Sequence, residues 1–249
     1  MIILKSKREI DIMREANRIV AETHAYLAEK IKPGISTAEI DELADEFIRN
    51  KGAVPSFKGY QGFPASVCIS INEEVVHGIP DEHRYLEDGD IVSIDIGTFY
   101  EGFNGDAART HPVGDISENA SELLEVTENS LLKGIEKAVI GNKLFDISHA
   151  VQKYVEKHNF SVVRDYVGHG IGRDMHEDPQ IPNFGPAGKG PKLKEGMTLA
   201  IEPMVNIGDY EVETLENDWT VVTKDKSLSA HFEHTIAITK DGVEILSKL

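Results

Sequence analysis

DIVSIDIGTFY (90–100), EGFNG (101–105) and DAARTHPV (106–113) follow one another without a break. The two outer runs are rich in β-branched residues, and the glycine-bearing segment between them reads as a hairpin-like loop. This predicts a long antiparallel pair. Asp95 lies inside the apolar first run, and Asp106 begins the returning strand. A hairpin of this kind could bring both carboxylates to one point.

Working outward, the same anomaly recurs. Glu202 lies in TLAIEPMV (198–205) and Glu233 in HFEHTIAIT (231–239), both runs that read as strands. A carboxylate buried without a partner costs several kcal/mol. Three such acids in one chain call for a common cause, and a bound cation is the economical one. His169 stands in YVGHGIG (166–172), where glycines permit close backbone approach and a neutral imidazole suits a metal. If Asp95, Asp106, Glu202 and Glu233 are all ionised, the five candidates carry a charge of about −4, which two divalent cations would balance. Taken singly, each residue has a plainer reading. Asp95 or Glu202 reads more often as a salt-bridged strand acid, Asp106 as a turn residue after Gly105, and His169 as a packed loop histidine.

Before the hairpin come two helical segments. Residues 7–30 place Ile10, Met13, Ala16, Ile19 and Val20 on one face, and Pro33-Gly34 breaks the pattern. Ser36-Thr37-Ala38-Glu39 reads as a capping box, followed by Ile40, Leu43, Ala44, Phe47 and Ile48 at helical spacing and by Gly52 as a stop. After the hairpin the order repeats. A helix is expected from Ser117 to about Ala138 and another from Asp146, then strand-like SVVRDYV (161–167), TLAIEPMV, WTVVT (219–223) and HTIAIT (234–239). An offset of 107 residues sets Gly141 on Gly34, Ile147 on Ile40, Val151 on Ala44 and Tyr154 on Phe47. This suggests two copies of helix–helix–strands, halves of about 1–114 and 115–249, sharing one sheet and one core with a site between them. PNFGPAGKGPKLKEG (182–196) reads as a long surface loop.

Composition narrows the class. With 43 acids against 26 bases the formal charge is −17, which disfavours nucleic acid as the main partner. No apolar run approaches the length of a membrane span, and the charged start of the chain does not read as a signal peptide. The single cysteine, Cys68, permits no internal disulfide, and the expected compartment is the cytoplasm. Gly168-His169-Gly170-Ile171-Gly172 is not a dinucleotide fingerprint, His176-Glu177 lacks the second histidine of a zincin helix, and no G-x-S-x-G occurs.

VHGIP (76–80), SIDIG (93–97), GD (105–106), YVGHGIG (166–172), HEDP (176–179), IEP (201–203) and FEHT (232–235) occur in an order and spacing that resemble the type I methionine aminopeptidases. The likeness runs from Glu9-Ile10 to the final strand. His169 and His176 are seven residues apart, and no cysteine cluster precedes the catalytic part, as in the bacterial form. The resemblance implies an α+β pita-bread fold, two pseudo-symmetric halves around an antiparallel sheet in one catalytic domain spanning 1–249. It implies two divalent cations, Co2+, Mn2+, Fe2+ or Zn2+. Asp95, Asp106 and Glu233 would hold one; Asp106, His169, Glu202 and Glu233 would hold the other. It implies removal of the initiator methionine from nascent polypeptides whose second residue is small and uncharged, through attack of an activated water, by a monomer working near the ribosome.

Glu202 would then shuttle protons, His176 stabilise the oxyanion, and His77 orient the peptide. Tyr60, Phe63, Cys68, His77 and Trp219 would line the methionine pocket. Alone, the three aromatics read equally as core or rim residues. Met175 and the 182–196 loop depart from some relatives and put fine side-chain specificity in question. Residue two is Ile, so Met1 is expected to be retained. Two rivals stand beside this reading. An Xaa-Pro exopeptidase of the same fold usually carries an additional N-terminal domain, which is not expected here. A non-catalytic binding protein of the fold would lack metal ligands.

Overall fold

Glu101 and Gly102 alone turn the long hairpin. The computed structural model describes residues 1–249, and in it strands Ile91–Tyr100 and Phe103–Pro112 pair from Ile91 opposite Pro112 to Tyr100 opposite Phe103. The turn is tighter than the five-residue loop the sequence suggests. Both turn residues have positive φ, 46° at Glu101 and 86° at Gly102. A two-residue turn of that hand matches strand twist, so Phe103, Asn104 and Gly105 join the ladder. In this register Asp95 faces Ala108 and Asp106 faces Gly97. The two acids are therefore diagonal neighbours on one face.

Helix α1 (Lys7–Ala28) lies against this hairpin. Ser6 caps it with a complete box: its hydroxyl accepts from the Glu9 N–H, and the Glu9 carboxylate accepts from the Ser6 N–H. Met13, Ile19 and Val20 are fully buried beneath it, each contributing roughly 1.5–3 kcal/mol by leaving water. The approach is close enough to demand a glycine: a Cβ on Gly105 would stand 2.8 Å from the backbone of Ala16 and Asn17. Helix α2 (Thr37–Asn50) is capped by Ser36, whose hydroxyl accepts from the Glu39 N–H; this is one half of the box the sequence suggests. Ile40, Ala44 and Ile48 of α2 pack with Ile19 and Val20 of α1 and Ile69, Ile94 and Ile96 of the sheet beneath them.

Helices α3 (Glu118–Ile135) and α4 (Leu144–Lys157) build a second core of their own. They pack closely at Gly134, where a Cβ would meet Val151 at 2.8 Å. Helix α4 starts two residues earlier than Asp146, whose carboxylate instead accepts from the Lys143 N–H at the cap. Below them lies a five-stranded sheet in the order Gly242–Ile245, His234–Thr239, Thr198–Ile201, Gly168–Gly170, Glu177–Ile181.

Every strand pair is antiparallel, but the single shared sheet and core expected from sequence are divided. Backbone hydrogen bonding sorts the strands into four sheets, and the largest two apolar clusters are separate. TLAIEPMV shows one reason. Pro203 has no N–H to donate, and the run breaks into Thr198–Ile201 in one sheet and Met204–Asn206 in another. SVVRDYV is a strand only at Ser161–Val162. The 182–196 segment is irregular, as expected, and it is pinned by Leu193, which is 1% exposed. No helix is long and apolar enough to cross a membrane.

The two cores meet through the hairpin. The Glu233 N–H donates to the Ala108 carbonyl at 2.9 Å, and the Thr235 hydroxyl to the Asp106 carbonyl at 2.8 Å. A third, smaller cluster joins Met13 of α1 and Phe103 of the hairpin to Ala200 and Ala237 of the five-stranded sheet.

Candidate metal centre

Four strands from both parts of the chain deliver acids to one place. Asp95 and Asp106 come from the hairpin; Glu202 follows Thr198–Ile201, and Glu233 precedes His234–Thr239. His169 sits at the middle of Gly168–Gly170, opposite Ala200. A Cβ on Gly168 would stand 2.4 Å from the Ala200 carbonyl, so the glycine is what admits this strand. Ligand atoms of Asp106, His169 and Glu233 all lie within 4.8 Å of one another. The His169 Nε2 is 3.7 Å from an Asp106 oxygen and 3.6 Å from a Glu202 oxygen.

The residues fit a metal on an observation independent of any relative. Asp95 Oδ1, Asp106 Oδ1 and Glu233 Oε1 are buried and have no hydrogen-bond partner. Burial pushes Asp95 up to about 7, and burial with the neighbouring carboxylates pushes Asp106, Glu202 and Glu233 well above the usual carboxylate range. Such a cluster is costly until cations replace its protons. His169 is set for ligation. Its Nδ1 bonds the Gly170 carbonyl at 2.9 Å, which leaves the Nε2 lone pair facing the acids, and burial holds its imidazole neutral, at about 3.

The ligand cluster forms one side of a cavity of about 270 Å3. The other side holds Tyr60, Phe63, Cys68, His77 and Trp219, so every sequence-predicted site residue borders the same space. Trp219 stands edge-on to Phe63 at 5.1 Å between ring centres, and His77 edge-on to Trp219 at 6.4 Å. His77 has φ of 60°, a left-handed conformation that a histidine adopts at a cost. Gly78 beside it permits this course, because a Cβ there would stand 2.0 Å from the Ile69 carbonyl oxygen. His176 lies between the two sides, its ring 4.3 Å from that of His169 and its Nδ1 2.7 Å from the Tyr60 hydroxyl. Burial lowers both His77, to about 4, and His176. Burial and the nearby carboxylates push the Cys68 thiol up, so it is a protonated wall group and not a nucleophile.

Sequence reasoning missed four residues here. Asn17 is a polar residue on the buried face of α1; its Oδ1 accepts from the Asp106 N–H at 3.2 Å and its amide donates to Met13. That intrusion into an apolar stripe is a readable signal. His231 lies 3.9 Å from Glu202, buried and with its Nε2 unpartnered. Phe57 and Gln61 also line the cavity, from a stretch with no periodicity to mark them.

Buried oxygen donors grouped about one neutral histidine, beside a pocket with an aromatic wall, define a metal-dependent enzyme. The chain belongs to metallopeptidase family M24, whose model matches residues 11–240, and it has the pita-bread fold. It is similar to methionine aminopeptidase 1 of Bacillus subtilis, 61% identical over 249 residues and the whole of both chains. It is similar to a methionine aminopeptidase of Clostridium acetobutylicum, 60% identical over 99% of each chain. Among solved structures it is similar to the methionine aminopeptidase of Thermotoga maritima, with a TM-score of 0.98 and 48% identity over all of both chains.

Proposed function

We propose that this protein releases the N-terminal methionine of nascent proteins and peptides whose second residue is small and uncharged. The observation that carries the reading is a single cavity with a metal-ligand cluster on one side and an aromatic–thiol wall on the other. Its volume, about 270 Å3, lies just below the roughly 300–1,000 Å3 usual for small-molecule pockets, which suits one side chain and not an extended peptide. A methionine thioether is favoured against such a wall because sulfur contacts aromatic rings well. The relatives' printed names point the same way.

Asp95, Asp106 and Glu233 would hold one divalent cation, and Asp106, His169, Glu202 and Glu233 a second. Such a pair would supply Lewis acidity toward the scissile carbonyl and a lowered water pKa. Around it the chain's own groups act. In the tautomer that accepts the Tyr60 hydroxyl proton at Nδ1, His176 presents its Nε2–H as a neutral donor for the oxygen that becomes negative in the transition state. Glu202, packed beside His169, takes and returns the proton. His77, uncharged at neutral pH, orients the peptide from beside Trp219. The site needs no group from a second copy, and we read the protein as a monomer acting on chain ends in the cytoplasm.

The test is to incubate the Mn2+-loaded protein with Met-Ala-Ser and with an Ala-Pro peptide. Methionine release that a chelator abolishes is the expected result. Cleavage of the proline peptide alone, or none with any divalent ion, would overturn the reading.

A further inference from the structure

We propose that Lys5 is a positioning residue for His176, acting through a buried ion pair with Glu177. The proposal rests on the reading of His176 as a donor to the substrate. Lys5 lies ahead of α1, in the arm that precedes the fold's first regular element. Its ammonium pairs with the Glu177 carboxylate, and the two side chains are only 3% and 4% exposed. Two charges so far from water are unusual unless a geometry depends on them.

The geometry they serve is the loop between His169 and the next strand. Glu177 uses its two oxygens on two different partners. Oε2 accepts from Lys5, and Oε1 accepts from the Arg173 N–H at 2.9 Å, which closes the loop 173–177 on itself with His176 inside it. From the opposite side Asn104 grips the same loop, its amide donating to the carbonyls of Gly172 at 3.1 Å and Arg173 at 3.0 Å. Gly172 leaves the space for the pair, since a Cβ there would stand 2.4 Å from both Glu177 Oε1 and Lys5 Cε. The arm itself is fixed, because the Lys5 N–H donates to the Gly196 carbonyl at 2.7 Å.

The consequence follows from what the loss of either charge leaves behind. Without the ammonium, the Glu177 carboxylate is buried with no counter-charge and is driven toward water. That movement weakens its hold on Arg173, and the residue next to it is His176, whose ring must meet both Tyr60 and the cavity. No hydrogen bond or ion pair joins Lys5 or Glu177 to Asp95, Asp106, His169, Glu202 or Glu233, although Glu177 pairs with Gly170 beside His169, so metal binding is expected to persist without the pair.

Lys5→Met removes the charge and keeps the length of the side chain. We expect kcat on Met-Ala-Ser to fall roughly ten- to hundredfold, the scale set by a misplacement of about 1 Å. KM should stay within about twofold, Mn2+ affinity by calorimetry should hold, and Lys5→Arg should restore most of kcat. In a His176→Ala background, Lys5→Met should cost little more. A full multiplicative loss in that background, or loss of Mn2+ binding, would make the pair merely structural and overturn the proposal. If Lys5→Met fails to fold, Glu177→Gln, of equal volume, takes its place with the same expectations. NMR of the imidazole nitrogens gives a readout independent of activity. The His176 signals should shift in Lys5→Met while those of His83 and of His149 in α4, both exposed, hold, and unshifted His176 signals would also overturn the proposal. Wild-type cleavage tests the functional reading by itself, so the two failures are distinguishable.

Discussion

The two sides of the cavity are built by opposite means. The ligand side is built on strands: Asp95 and Asp106 are fixed by one hairpin register, His169 by pairing with Ala200, and Glu202 follows that same strand directly. The aromatic side is made of segments with little regular structure. Tyr60 and Phe63 lie around a short 3-10 turn at Tyr60–Gly62, and Trp219 sits in a turn where Asn217 accepts from its N–H. Strand pairing holds most of the first side against mutual repulsion. The second rests on local turn hydrogen bonds and side-chain packing, with only Cys68 on a strand, opposite Asp95. Chemistry that needs sub-ångström placement of charge is therefore carried on strands, and recognition of a flexible apolar side chain is left to the more adaptable wall.

The largest effect should come from the ligand side. Asp106→Asn is expected to abolish methionine release and the Mn2+-dependent rise in melting temperature. The same change should stabilise the metal-free chain, because it removes one of four mutually repelling buried acids. Calorimetric scans with and without Mn2+ check both halves, and a destabilised metal-free variant would break the comparison.

His176→Ala stands between the two sides and should lower kcat by about 10²–10³ with KM little changed, as loss of a transition-state donor does. Steady-state kinetics on Met-Ala-Ser decide it. A rise in KM alone would place His176 on the recognition side instead.

Trp219→Ala should act on the aromatic side only. Discrimination between Met-Ala-Ser and a leucine analogue should fall roughly 10–200-fold, the usual span for an apolar pocket contact, with Mn2+ affinity unchanged. Altered metal affinity would show that the two sides are not independent.

The smallest effect concerns the metal-free protein as pH rises. Asp95 is raised from 3.8 to about 7, and its three acidic neighbours are raised well above their ordinary values. Folded chains thus bind more protons than unfolded ones across that window, and the stability these acids contribute at low pH is lost as pH climbs through their folded values. The buried histidines, lowered from 6.5, act in the opposite direction, but their effect is complete above that pH. Above pH 6.5, as pH climbs through the folded Asp95 value of about 7, the metal-free melting temperature should fall, and Mn2+ should suppress the fall. A metal-free protein that gains stability over this range would contradict the burial argument.

The same contrast explains what was legible in the sequence. Asp95, Glu202 and Glu233 are visible because an acid inside an apolar strand is an anomaly with a price in free energy. Tyr60, Phe63 and Trp219 break no rule, so only the resemblance to a family singles them out. Phe57 and Gln61 have neither signal. Asn17 has one, a polar residue on a buried helical stripe, but its role depends on the helix crossing the hairpin at Gly105, a contact 88 residues apart in sequence. Lys5 and Glu177 read as ordinary charged residues, and their burial is a property of the packed chain alone.

By itself the sequence marked the helices and the long hairpin and singled out Asp95, Glu202 and Glu233 as candidate metal ligands, because periodicity and misplaced charge are local facts about which side chains must leave water. Tertiary structure decided the rest: a two-residue turn that sets the hairpin register, a proline that splits one run between two sheets, and an arm that buries Lys5 beside the His176 loop. These depend on close approaches between segments far apart in the chain, where the presence or absence of a single Cβ decides what can meet.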